Sequence, residues 1–117
     1  MSSVNENLNT QSDELLVKKV QEGDTNAYNV LVIKYQYKVA QIISKFVANN
    51  ADINDIAQDA FIKAYKAINS FRGESSFYTW LYRIVVNAAK TFLESNSKHK
   101  NSIDVDSPEF QSIDEQG

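Results

Sequence analysis

From Ala27 to Phe46 the apolar residues return at spacings of one, three or four: Ala27, Tyr28, Leu31, Val32, Tyr35, Val39, Ile42, Ile43 and Phe46. About five turns of α-helix place all of them on one side. A helix with such a face must bury it against a partner. The pattern recurs twice more. Ile53, Ile56, Ala57, Ala60, Phe61, Ala64, Tyr65 and Ile68 form a second stripe, and Phe77, Trp80, Leu81, Ile84, Val85, Ala88 and Phe92 a third. Three Gly, one Pro and abundant helix formers leave strand and hairpin signals nearly absent. The expectation is an all-α fold, a compact bundle of about four helices with short, antiparallel connections.

The boundaries follow from capping chemistry. Ser12 can cap a first helix opened by Asp13 and Glu14, whose charges suit the N-terminal dipole, and Gly23 ends it. Asp24 or Thr25 restarts the chain, Asp52 can cap the third helix after "ANNAD", and Ser75 or Ser76 the fourth after "SFRGESS". The helical domain therefore spans residues 12–95, one unit on length alone. Residues 1–11 are polar and 96–117 polar, then acidic; both read as disordered ends.

Several function classes are excluded or left without support. With no cysteine there is neither a disulfide framework nor a thiolate metal site. The single histidine, His99, lies in the polar tail, and no nucleophile, base and orienting group are placed together, so an enzyme is not expected. Asp52, Asp55 and Asp59 share a helical face, as half of a carboxylate metal site would, but no histidine or second carboxylate helix completes it. No phosphate-cradling glycine loop is present, and neither metal nor cofactor is expected. Without a signal peptide or an apolar run of about 18 residues, the chain reads as soluble, cytoplasmic and not inserted in a membrane.

Charge is unevenly spread. Residues 63–100 carry seven Lys and Arg against Glu74 and Glu94, a local balance of +5 inside a chain of net charge −3. The same segment holds Phe71, Phe77, Tyr78, Trp80 and Tyr82. Rings on which bases stack, with cations along phosphates, make a surface for single-stranded nucleic acid. Tyr78, Tyr82, Phe71 and Arg72 could supply it; Lys63, Lys66, Arg83 and Lys90 could track a backbone, and Asn87 could read a base edge. A plain aromatic core is the alternative. On the third helix, Asp52, Asp55, Gln58 and Asp59 make an acidic start that suits either solvent or an Arg-rich partner.

The segment "DIAQDAFIKAYKAINSFRGESSFYTWLYRIVVNAAK", Asp55 to Lys90, resembles the second conserved region of bacterial extracytoplasmic-function sigma factors, close to the envelope-stress members of gamma-proteobacteria. The likeness extends back through "ELLVKKVQEGDTNAYNVLVIKYQYKVA" and covers about residues 13–93. It implies a domain that binds core RNA polymerase and opens the promoter −10 element. Asp55, Gln58 and Asp59 would dock on the coiled coil of the polymerase beta-prime subunit, a basic partner suited to an acidic face.

The loop Ser70 to Ser76 would accept a base flipped from the non-template strand, between walls of Ala67, Phe71 and Phe77. Tyr82, Arg83 and Asn87 would face DNA, with Lys63, Lys66 and Lys90 near phosphates. An anti-sigma factor is implied as a further partner. The acidic segment 96–117 would be a linker to a region 4 domain missing here. The alternative of a different class is a helical interaction module or regulator that binds polymerase or an anti-sigma factor without DNA.

Overall fold

The computed structural model describes residues 12–103, with side chains through Asn96. They form four helices: α1 (Asp13–Gln21), α2 (Thr25–Ile43), α3 (Asn50–Ala67) and α4 (Phe77–Ile103), with a 3-10 turn, Ile68–Ser70, directly after α3. Among the described residues there is no strand, and no helix is long and apolar enough to cross a membrane. Of the ends that composition marks as disordered, 1–11 and 96–117, residues 96–103 belong to α4, and 1–11 and 104–117 lie outside the described residues.

The caps are mostly those that the side chains announce. Ser12 Oγ accepts from the Leu15 amide, Asp24 Oδ1 from Ala27, and Ser76 Oγ from Thr79. The turn between α1 and α2 needs Gly23, whose φ of +107° few L-residues can adopt. The third helix corrects the expectation. Asn49, not Asp52, is its cap, accepting from the amides of Ala51 and Asp52. The helix thus starts earlier, and Asp52 falls in the first turn, where its charge still suits the dipole. A second difference is at the far end, where α4 runs on to Ile103 although its apolar stripe stops near Ser95. Helical backbone can outlast the stripe because only the stripe needs a neighbour.

Packing follows the stripes. Helix α2 lies against α1, α3 and α4, and α4 packs along α3. Leu16, Leu31, Val39, Ile43, Leu81 and Val85 are sealed from solvent, as are the small residues Ala60 and Ala64 of α3 and Ala89 of α4. No polar or charged residue is buried among those described. Two tyrosines enter the core with their hydroxyls satisfied: Tyr28 donates to the Phe61 carbonyl and Tyr35 to the Asp13 carboxylate. Both phenols are pushed well above the ordinary tyrosine range, chiefly by burial. Tyr65, expected in the core stripe, is 43% exposed at its edge with its ring against Tyr28.

If this stripe carries the stability, Leu31→Ala should cost about 2–5 kcal/mol, because Leu31 is 1% exposed. Ile33→Ala, on the open side of the same helix at 62% exposure, should stay within about 0.5 kcal/mol. Urea unfolding of both variants checks this. Equal losses would mean that α2 does not bury the face described.

Candidate nucleic-acid interface

Between α3 and α4 the chain makes a short loop whose shape is imposed from a distance. The amide of Gln21, the last residue of α1, donates to the carbonyls of Ile68 at 2.8 Å and Phe71 at 2.9 Å. One side chain thus grips both ends of the 3-10 turn. Phe71 N–H bonds back to the Ile68 carbonyl, and Gly73, at φ +77°, reverses the chain towards the Ser76 cap of α4.

The held loop and α4 enclose a cavity of about 510 Å³ lined by Ser70, Phe71, Arg72, Glu74, Ser75, Trp80 and Arg83. That lies within the roughly 300–1,000 Å³ of sites that take small ligands, so a single base fits. Its apolar side is a triangle of rings. Phe71 meets Trp80 at 5.1 Å and Phe77 edge-on at 6.2 Å, while Phe77 and Trp80 stand 5.7 Å apart. Its polar side offers two guanidinium groups and one carboxylate.

Of the wall residues that the resemblance implies, Phe71 lines this cavity, and Phe71 and Phe77 together line a second, smaller one of about 260 Å³ against the same loop, with Gly73, Ser75 and Ser76. Phe77 is 5% exposed and supports Phe71 and Trp80 from the core; Ala67, half-buried at the end of α3, does not line the cavity. Trp80, which the resemblance does not name, is a further wall of the larger cavity. Its spacing fits the core stripe, but on the helix it sits at the stripe's margin, where the loop leaves its face half-exposed.

Beyond the cavity, Arg83, Asn87 and Lys90 recur on the exposed side of α4 at helical spacing. Tyr82 is 42% exposed, and Tyr78 is half-buried between it and Tyr35. On α3, Asp55, Gln58 and Asp59 are all exposed on one face. Lys63, expected beside phosphates, is paired to Asp59 at 2.9 Å. An exposed i,i+4 pair is worth only about 0.3–0.5 kcal/mol, so either partner can be recruited elsewhere. Lys66 is exposed on the rim of an apolar groove of about 430 Å³ between α2 and α3, with Val32, Ile62 and Tyr65 in its lining and Gln58 beside them. Sequence reasoning missed this groove because Phe61 and Tyr65 read as core. It also missed Gln21, a polar residue at a helix end with nothing local to announce it, and Lys38, whose ammonium lies over the rings of Tyr35 and Tyr78.

The description "Sigma-70 region 2" is that of a family whose model matches residues 31–99. The chain is 49% identical over 106 residues to the ECF RNA polymerase sigma-E factor of Escherichia coli K12, covering 91% of this chain and 55% of that protein. With the sigma-E factor of Haemophilus influenzae Rd the identity is 48% over 103 residues, 88% of this chain and 54% of the relative. The chain therefore spans about half the length of these curated relatives. Among solved structures it is similar to an engineered region 2 of sigmaE in complex with GTAAAA, with TM-score 0.72 and 48% identity over 75% of this chain and 92% of that one. It also matches CnrH in complex with the cytosolic domain of CnrY, with TM-score 0.63 and 29% identity over 68% and 51%.

The Gln21 grip is open to a direct check. In Gln21→Ala two carbonyls lose their donor, and the Phe71 amide should exchange with solvent markedly faster while amides in α2 keep their protection. Global stability should fall by about 1 kcal/mol. Hydrogen exchange followed by NMR reads both, and unchanged protection at Phe71 would show the loop to be held by other contacts.

Proposed function

The chain belongs to the sigma-70 region 2 family, and on that premise we propose that it is the part of a sigma factor that binds core RNA polymerase and recognises and melts the promoter −10 element. The observation that carries this reading is the cavity of Phe71, Arg72, Trp80 and Arg83, in a chain 48% identical to an engineered sigmaE region 2 solved with GTAAAA. Rings and guanidinium groups around a space of this size match a base with its attached phosphate.

The magnitudes explain how opening can proceed without ATP. Breaking a base-pair step costs about 1.4 kcal/mol of stacking. A base laid on an aromatic wall returns about 1–3 kcal/mol. The two are comparable, so the protein traps a spontaneous opening of the duplex when the non-template base enters the cavity. Phe71 and Trp80 together form the wall on which the base lies, with Phe77 fixing both from beneath. Arg72 and Arg83 attract its phosphates and can lie over its face. Asn87 offers both a donor and an acceptor to a neighbouring base edge. Lys66 and Lys90 add affinity through phosphate contacts without adding sequence information, and Lys63 joins them on leaving Asp59.

On α3, Asp55, Gln58 and Asp59 present an acidic patch to the basic beta-prime coiled coil of polymerase. The apolar groove beside Gln58 gives that contact a surface to desolvate, which a purely charged face would lack. The pairing of CnrH with the cytosolic domain of CnrY supports a protein regulator, an anti-sigma factor, as a further partner competing for these surfaces.

Fluorescence titration with −10 oligonucleotides tests the DNA role. Phe71→Ala should weaken binding to the non-template single strand by about fivefold or more and binding to duplex by less; equal losses would remove base capture. The polymerase role is separable. Asp55→Ala with Gln58→Ala should reduce co-purification with core polymerase while leaving the thermal melt in place, and undiminished binding would reject the α3 contact.

A further inference from the structure

We propose that the edge of α4 opposite the cavity is a second nucleotide subsite, in which Tyr82, backed by Tyr78, stacks a base and Lys38 of α2 holds its phosphate. The proposal rests on the DNA-binding reading above and extends the footprint of the strand onto a helix to which that reading assigns no DNA contact.

A row of rings carries it. Tyr35 and Tyr78 stack at 5.7 Å with planes 24° apart, and Tyr82 follows at 6.3 Å from Tyr78. The row is anchored at its inner end, because Tyr35 is buried and its hydroxyl is held by Asp13. It ends in a ring that is 42% exposed. Tyr82 is tilted by 50° to Tyr78 and so does not continue the stack, but it is backed by a fixed pair of rings and keeps an open face on which a nucleobase can lie at little cost in ordering.

The cation is placed by the same rings. Lys38 Nζ lies 5.3 Å from the centroid of Tyr78 and 5.8 Å from that of Tyr35. Its neighbour Lys34 is neutralised by Asp13 at 2.6 Å, whereas among the described residues Lys38 has no carboxylate partner. Contact with ring faces holds the ammonium beside Tyr78 without cancelling its charge, and an ammonium has three donors to offer. An anion bound there would be the first to pair with it.

The position suits the strand already inferred. At about 100° per residue, Trp80 and Tyr82 lie some 160° apart around α4. Arg83, Asn87 and Lys90 occupy the arc between them. A strand with one base in the cavity can cross this arc, its phosphates passing Arg83 and Lys90, and reach Tyr82 and Lys38 on the other side.

The test is titration of single-stranded GTAAAA over a salt series with the wild-type chain and its Lys38→Met, Lys38→Arg, Tyr82→Ala and Arg83→Ala variants. Methionine keeps an apolar stem over the rings and removes only the charge. Lys38→Met should lower the slope of log K against log salt by about 0.7, the value for one phosphate of a single strand, and Lys38→Arg should restore it. Tyr82→Ala should weaken binding about fivefold or more with the slope unaltered. If Arg83→Ala lowers the slope but Lys38→Met does not, the subsite is overturned and the cavity reading stands. If the wild-type chain fails to bind GTAAAA at all, the DNA reading falls and takes the subsite with it.

Discussion

The seating of α4 is the constraint from which the remaining features follow. Leu81, Val85 and Ala89 are fully enclosed, with Phe77 and Ala88 beside them, so the rotation of the helix about its axis is set by burial alone. Once that face is committed, geometry places Arg83, Asn87 and Lys90 on the outside and leaves Trp80 and Tyr82 on the two margins. The buried alanines of α3 and α4 matter for the same reason. A larger residue at Ala60, Ala64 or Ala89 would find no room in the core and would shift its helix, turning the outer face of α4 relative to the loop.

The loop is the second member of this arrangement, and it depends on the first helix of the fold. A chain segment with a glycine at positive φ and little buried surface would sample many shapes if left free. Gln21 removes that freedom by bonding to two carbonyls of the turn that precedes it. Pre-organisation of this kind raises affinity by reducing what must be ordered on binding. It also means that α1, which does not line the cavity, bears on how well the cavity works.

Electrostatics divides the surface between partners. The net charge of −3 is misleading for a protein proposed to hold DNA, since five of the fifteen acids lie in residues 101–117 and three, Asp52, Asp55 and Asp59, on α3, while Arg72, Arg83 and Lys90 stand around the loop and α4. Two faces of opposite sign on one small bundle allow two partners to be held at once. The exposed Asp59–Lys63 pair lies where α3 passes from one sign to the other, and its weakness leaves each residue free to serve its own side.

Much of this was readable in the order of residues. The three apolar stripes determined three helices and most of the core, because burying a helix face is a local requirement that periodicity states directly, and the cap at Ser12 with the stop at Gly23 marked the first helix. Ser12, Asp24 and Ser76 announced their caps through side chains that reach only their own amides. Asn49 was missed in favour of Asp52, since two good cap residues lay within one turn and only the backbone dihedrals choose between them. The family pattern in "SFRGESSFYTWLYRI" pointed to the loop and α4 as the place of recognition.

What needed the tertiary structure were contacts between residues far apart in the chain: Gln21 with Phe71, Lys38 with Tyr78, Trp80 as a wall of the larger loop cavity, and the apolar groove between α2 and α3. Periodicity says that a ring lies near the margin of a stripe, but not whether a neighbouring element covers it. That is decided by which helices meet and at what rotation, a property of the packed bundle that no single segment contains.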